Sequence, residues 1–387
     1  MLSLAASAVL FAGGDIAPVE PVAEAPAAAC DDFYGSATVG VVATMTGEGN
    51  VTADDDNTTT VQFGAAAILG VSKEIFSGLT FTAEVQGASL ETYSKVGDGN
   101  GTRAPGFVEY GALNQFNVAY TWCNTAIKVG RFTIDGTAKE LSPLINTGTT
   151  YFGLKKTAYE GAMAVNTDIP DTTVWAAYVY NTVTLNAKTT TKKNPRARAG
   201  IIAGGFQNTS FADTKITVAG YYDLNGTGDQ KVYNWTYMVA GSIDHKWCDT
   251  DISLGGAYVK YDSNTTGAGN GSDFVVGAFV KQAFSAATLT LGATYGNMGY
   301  SKYTDLTNQK TGDTNNSWAA GASLSTDWCG YKLGASANYR QDKTYQVGAS
   351  VGKKISGIDF SADYLYTHNG VTGRNDQRIR AKAVYKF

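Results

Sequence analysis

From Asp31 to the carboxyl terminus, apolar and polar positions alternate with a period of two in run after run, the pattern of strands with one oily and one wet face. The final run shows it most cleanly. Ile379, Ala381, Ala383, Tyr385 and Phe387 fall at every second position, and Arg378, Arg380, Lys382 and Lys386 lie between them. Counting such runs predicts about 18 strands, the first from Phe33 to Met45 and the last from Gln377 to Phe387, with 16 as the alternative count.

Connections between the runs alternate in length. Short turns are expected at Cys123 to Thr125, Ile169 to Asp171, Ala212-Asp213, Cys248-Asp249, Ser285 to Ala287, Cys329-Gly330 and Ser356-Gly357. Long polar loops are expected at about 46 to 60, 94 to 105, 133 to 155, 184 to 198, 225 to 232, 262 to 272, 298 to 316 and 369 to 376. One connection, at Asp342-Lys343, is short where the alternation wants a long one. Trp122, Trp247 and Trp328 stand beside short turns and Phe387 ends the chain, positions that suit aromatic residues at a membrane interface. A β-sandwich would alternate similarly, but it would not need aromatics gathered at the strand ends.

Composition agrees with strands and turns: Gly 45, Tyr 23 and Phe 16 against Pro 7, with 17% charged residues. After residue 12 no apolar run is long enough for a transmembrane helix, so a chain that spans a membrane must do so as a closed barrel. The expected fold is therefore all-β, a transmembrane antiparallel β-barrel with long external loops, short periplasmic turns and one inward-folded constriction loop. A net charge of -4 gives no footprint for nucleic acid.

The chain divides into three stretches. Residues 1-14 read as the remnant of a secretory signal that ends in small residues near Phe11-Ala12-Gly13 and lacks a basic start, so the true start is expected a few residues upstream. Residues 15-29 form a Pro- and Ala-rich tether, and residues 30-387 form the barrel.

A barrel of about 18 strands is too wide to fill with side chains, so its interior is expected to be an aqueous channel unless plugged. The segment of about 132-155 is the candidate constriction loop; it carries Asp135, Lys139, Glu140, Ser142, Pro143 and Leu144. Opposed charges across a narrow bore order water and filter solutes. Arg131, Lys156, Arg378, Arg380 and Lys382 are candidates for the basic side, and Asp135, Glu140, Glu160, Asp359 and Asp363 for the acidic side. By parity Lys332 and Arg340 join the lumenal row. Pairing of Asp359 and Asp363 with the arginine row across strands is the plainer account of those carboxylates.

One stretch resembles a known family. Lys128-Val-Gly-Arg131 closes a strand, Leu141-Ser-Pro-Leu-Ile145 follows in the loop, Tyr159-Glu160-Gly161 opens the next strand, and Ile169-Pro170-Asp171 makes its turn. Over roughly residues 127 to 180 this order resembles the major outer-membrane porins of the Campylobacter type and the related Opr-like general porins of Gram-negative bacteria. The resemblance implies an 18-stranded, homotrimeric general porin whose inward loop forms an eyelet bordered by Arg131 and Glu160, and a place in the bacterial outer membrane in contact with lipid and lipopolysaccharide. Its implied function is passive diffusion of ions and small hydrophilic solutes without a cofactor. A solute-specific channel and a surface adhesin or structural barrel acting through its external loops are the alternatives.

Four cysteines in an exported chain raise disulfide chemistry. Cys123, Cys248 and Cys329 lie in short turns at one end of the barrel. With strands about 4.8 Å apart, turns separated by three or more strands exceed the reach of a disulfide. Cys30, beside the tether, is the one expected to reach Cys123 or another turn; free thiols are the alternative. His245 and His368 stand near opposite ends of their strands and suggest no catalytic pairing.

An acidic-x-Asn-x-Ser/Thr pattern recurs at Asn50, Asn57, Asn100, Asn225, Asn264 and Asn315, all in expected external loops. It resembles a bacterial N-glycosylation acceptor, and ordinary turn chemistry also produces it. Asp223, Asn225 and Asp229 offer oxygen ligands for a loop-bound calcium ion but lack the closing Glu of a standard calcium loop.

Overall fold

Branched and aromatic residues at alternate positions, cut by glycine-bearing turns, leave the backbone little choice but extended ladders. The computed structural model describes residues 32–47, 58–96, 101–134, 141, 148–185, 200–224, 235–261, 271–298, 306–307 and 317–387. Its strands are β1 Phe33–Thr46, β2 Thr58–Phe76, β3 Leu79–Val96, β4 Gly101–Trp122, β5 Thr125–Phe132, β6 Thr157–Asn166, β7 Thr172–Thr184, β8 Ile201–Asn208 and β9 Thr214–Asp223. They continue as β10 Trp235–Trp247, β11 Thr250–Tyr261, β12 Ser272–Ala283, β13 Ala287–Gly296, β14 Ser317–Trp328, β15 Tyr331–Arg340, β16 Tyr345–Ile355, β17 Ile358–His368 and β18 Asn375–Lys386. The expected count of 18 holds. The leader at 1-14, the tether at 15-29 and Cys30 lie outside the described residues.

Each strand pairs antiparallel with its neighbours in the chain, and β1 pairs with β18 from Ser36 opposite Lys386 to Thr46 opposite Asp376. The sheet therefore closes and leaves no edge. At the seam, Gly35 and Phe387 exchange backbone hydrogen bonds of 2.9 and 3.2 Å. A Cβ on Gly35 would lie 2.7 Å from the Phe387 ring, so only glycine lets that terminal aromatic ring close over the join. With strands about 4.8 Å apart and tilted by about 40°, 18 of them enclose a backbone circle of roughly 18 Å radius.

Tight turns gather at one end of the barrel. Cys329 (φ 49°) and Gly330 (φ 76°), and Ser356 (φ 49°) and Gly357 (φ 84°), take the doubly left-handed form whose twist matches paired strands. The unusual short connection at the other end is also present: Lys343 is left-handed at φ 65°, and Asp342 accepts from Arg340 and from the backbone of Thr344.

The outer face is apolar around the wall, with Val39, Phe63, Val129, Tyr178, Val239, Leu291, Leu324 and Val347 all well exposed. Trp122, Trp247 and Trp328 stand out at the turn end, exposed at 70%, 68% and 66%.

The inner face is not uniform. Along β6 to β12 it is apolar and covered: Met163, Val165, Trp175, Val179, Ile201, Tyr221, Met238, Val259 and Val275 form one buried cluster with Phe132, Ile134 and Leu141 from the segment after β5. Along β14 to β18 it is polar and part-exposed, carrying Ser323, Ser336, Asn338, Gln346, Ser350, Ser361, Asp363, Arg378, Arg380 and Lys382. An apolar inner wall under a folded-in segment differs from the evenly wet lumen that alternation suggests.

Candidate functional site

The wall changes height at β5 and β6. β5 has 8 residues and β6 has 10, whereas β4 has 22, so the chain leaves the wall early on this side. Ala158, Val183 and Leu185, at the loop ends of β6 and β7, are buried against Ala112 of β4. Ala112 pairs with Gln86, on the inner side of the wall, so the ends of β6 and β7 are tucked inside β3 and β4.

Arg131 and Glu160 stand where this step begins. They are opposite each other in register, and Arg131 donates from Nε to Glu160 Oε1 at 2.9 Å and from Nη1 to the Leu113 carbonyl at 3.0 Å. Asn181 donates to the other Glu160 oxygen at 2.6 Å. Arg131 has the parity of Ile127 and Val129, whose side chains face outward, and the pair is mostly buried, at 18% and 16% exposure. The geometry neutralises both charges at the step.

After this pair, Phe132, Ile134 and Leu141 are buried in the interior. Asp135, Lys139, Glu140, Ser142, Pro143 and Leu144 lie outside the described residues. The returning leg is a small turn, closed by the bridge between Thr149 and Lys155 and by Thr150 and Leu154 bonding through their backbones at 2.8 Å. Its apolar residues are buried: Phe152 and Leu154 pack on Val42, Ala66, Ile68, Ala88 and Leu90. Gly64 makes room for this contact, since a Cβ there would lie 2.9 Å from the Phe152 ring.

The same turn meets the basic row. Tyr151 presents its ring to the Arg380 guanidinium at 4.8 Å and to the Lys382 ammonium at 5.0 Å, and its carbonyl accepts from Lys382 at 3.2 Å. Asp363, opposite Arg380, accepts from its Nε at 2.8 and 3.0 Å. The sequence-level pairing of Asp363 with the arginine row is thus present in the geometry, while Asp359 lies opposite Val384 and Lys354. Arg378 is half-buried two residues up the same face, Lys332 is exposed on β15, and Arg340 is engaged with Asp342.

Sequence reasoning missed Lys155, Glu84 and Gln86. Lys155 reaches the wall and pairs with Glu84 at 2.9 Å, with exposures of 13% and 2%. Lys156, next in the chain, is exposed on the opposite side of the segment. A second inward contact was also missed: Thr307, from the loop between β13 and β14, is buried with its hydroxyl 3.0 Å from that of Thr294, and Leu306 lies over Gly321. Nothing in the local pattern marks either contact, because neither joins residues within one strand or one turn.

Cys123, Cys248 and Cys329 are free and exposed. His245 contacts Thr214 at 2.9 Å, and His368 contacts Asn375 at 2.8 Å. Asp223 is buried at the end of β9, whereas Asn225 and Asp229 lie outside the described residues, as do Asn50, Asn57, Asn100, Asn264 and Asn315.

No protein-family model matches the sequence, and no curated protein matches it by sequence. Solved structures do match in shape. The chain is similar to OccK7 (OpdD) of Pseudomonas aeruginosa, with a TM-score of 0.70 at 7% identity over 92% of this chain and 99% of that one. It is similar also to a BenF-like porin of Pseudomonas fluorescens, with a TM-score of 0.66 at 13% identity over 92% and 99% of the two chains. A third likeness is to OccAB1 of Acinetobacter baumannii, with a TM-score of 0.63 at 12% identity over 92% and 97%. At these identities the shared property is the fold, a closed 18-stranded barrel.

Proposed function

We propose that this chain is a bacterial outer-membrane porin, a water-filled channel for passive diffusion of ions and small hydrophilic solutes. The single observation that carries the reading is the asymmetric interior. A wall of roughly 18 Å radius is packed on the β6 to β12 side, yet it keeps a polar, part-exposed sector along β14 to β18. The apolar outer face, with its exposed tryptophans at the turn end, suits lipid, and the loop end then faces outward toward lipopolysaccharide. The similar shapes of two Occ proteins and a BenF-like porin support the same reading.

In this reading the solute path runs beside β14 to β18, past Tyr151, Arg380 and Lys382, with Lys156, Lys332, Arg340, Asp359 and Arg378 along its length. Among the described residues of that sector, cations outnumber carboxylates, so the channel prefers anions. Asp135, Lys139 and Glu140 belong to the crossing segment, and Arg131 with Glu160 anchors its start. A homotrimer of the Campylobacter type is part of the proposal, as are external loops carrying modified asparagines. A solute-specific channel is the second reading, favoured by the ring of Tyr151 set against two cations.

Swelling of proteoliposomes in sugars of increasing size tests the proposal. The expected result is swelling that falls with solute size and does not saturate with concentration. Saturation would favour the solute-specific channel, and swelling no faster than empty liposomes would sink both.

A further inference from the structure

The bore of a channel depends on how firmly its inward segment is held, and here the holding contacts sit at one place on the inner wall. Glu84 and Gln86 are successive inward residues of β3, with exposures of 2% and 4%. Gln86 treats Lys155 as a neighbouring strand would: its Oε1 accepts from the Lys155 backbone N–H at 2.8 Å, and its Nε2 donates to the Lys155 carbonyl at 2.9 Å. The same Nε2 also lies 3.2 Å from the carbonyl of Leu185, at the tucked-in end of β7. One side chain thus joins the wall, the returning leg and the end of β7.

Glu84 adds charge to the clasp. Besides Lys155, it accepts from Asn114 at 2.8 Å, from Tyr34 at 3.0 Å and from Gln115 at 3.3 Å, so its site is built from three strands. The Lys155 ammonium donates in turn to Thr133 at 3.3 Å, at the point where the segment leaves the wall. A carboxylate this deeply buried needs its cation: without Lys155 it would be left with neutral donors only. Thr133 is therefore joined through Lys155 to the spot on β3 where Lys155 is held.

We propose that Glu84 and Gln86 form a latch that fixes the turn at 148–155 through Lys155 and so sets the width of the path past Tyr151. The proposal rests on the channel reading above. These are positioning residues, since they lie behind the segment and do not face the path. Tyr151 stands four residues before Lys155 in the same turn, so slack at the latch passes directly to the ring opposite Arg380 and Lys382.

Two readouts on Gln86→Leu, Lys155→Met and Lys155→Arg test the proposal. Folding of each variant is checked first by the heat-dependent shift of the barrel on gels. Amide hydrogen exchange at Lys155 is expected to speed up at least tenfold in Gln86→Leu, because its acceptor is gone. Single-channel conductance in planar bilayers is expected to at least double in Gln86→Leu and Lys155→Met, with noisier open states, and to stay at the wild-type level in Lys155→Arg. Faster exchange with unchanged conductance would overturn the proposal, because the contact would then be a staple with no hold on the bore. Unchanged exchange in a folded Gln86→Leu variant would overturn it as well. A folded wild type that passes no current would overturn the channel reading instead; the exchange result would still show whether the clasp holds the segment.

Discussion

Phe152→Ala removes a buried apolar contact of the turn at 148–155 while leaving the wall untouched. Phe152 is 4% exposed and packs into a site formed by Ala66, Ile68 and Leu90, above the gap left by Gly64. Truncating a buried phenylalanine costs about 3 to 5 kcal/mol. That cost falls on the docking of the segment, because none of the inter-strand pairings uses this side chain. At about 1.4 kcal/mol per factor of ten, even about 3 kcal/mol shifts the ratio of docked to undocked segment more than a hundredfold. The folded variant is expected to show larger and noisier single-channel currents than wild type in planar bilayers. Trp122→Ala, which removes an exposed side chain at the turn end, serves as the control and is expected to leave conductance unchanged. Wild-type conductance in a folded Phe152→Ala barrel would refute the docking argument.

Other outcomes follow from single contacts. Arg380→Gln leaves Asp363 without its strong partner and is expected to move the reversal potential toward cations; no movement would place the solute path away from β18. Burial raises the Asp342 carboxyl, but hydrogen bonds from Arg340 and Thr344 outweigh it and hold the group below its ordinary value. A depressed carboxylate stabilises fully above the ordinary Asp range and loses that contribution as pH falls through its folded-state value. The melting temperature of wild type should therefore drop more in acid than that of Asp342→Asn, and equal drops would contradict the assignment. Cys123, Cys248 and Cys329 are expected to react with a maleimide in the folded barrel without prior reduction, and a blocked thiol would show that the rim is covered or cross-linked.

The strands were legible because period-two alternation is a local property. The first was expected from Phe33 to Met45 and runs Phe33–Thr46; the last was expected from Gln377 and begins at Asn375. The short connection at Asp342-Lys343 was legible for the same reason. The packed half of the interior was only partly so. In β7 both Val174, Tyr178 and Tyr180 on one face and Trp175, Ala177 and Val179 on the other are apolar, which is the mark of a strand covered on both sides. That signal stood in the sequence, but a reading that expected one wet face passed over it. The contact of Gln86 with Lys155 spans 69 residues and joins a side chain to backbone, so no spacing rule could reveal it. Arg131 and Glu160 were expected on opposite sides of the eyelet; their direct pairing, and the inward step of the wall that surrounds them, are tertiary features.

The most direct test of the account is the current through purified, folded protein in a planar bilayer under a salt gradient. The account predicts discrete, long-lived conductance steps with a reversal potential on the anion side. A barrel verified as folded that inserts and passes no ions would contradict it.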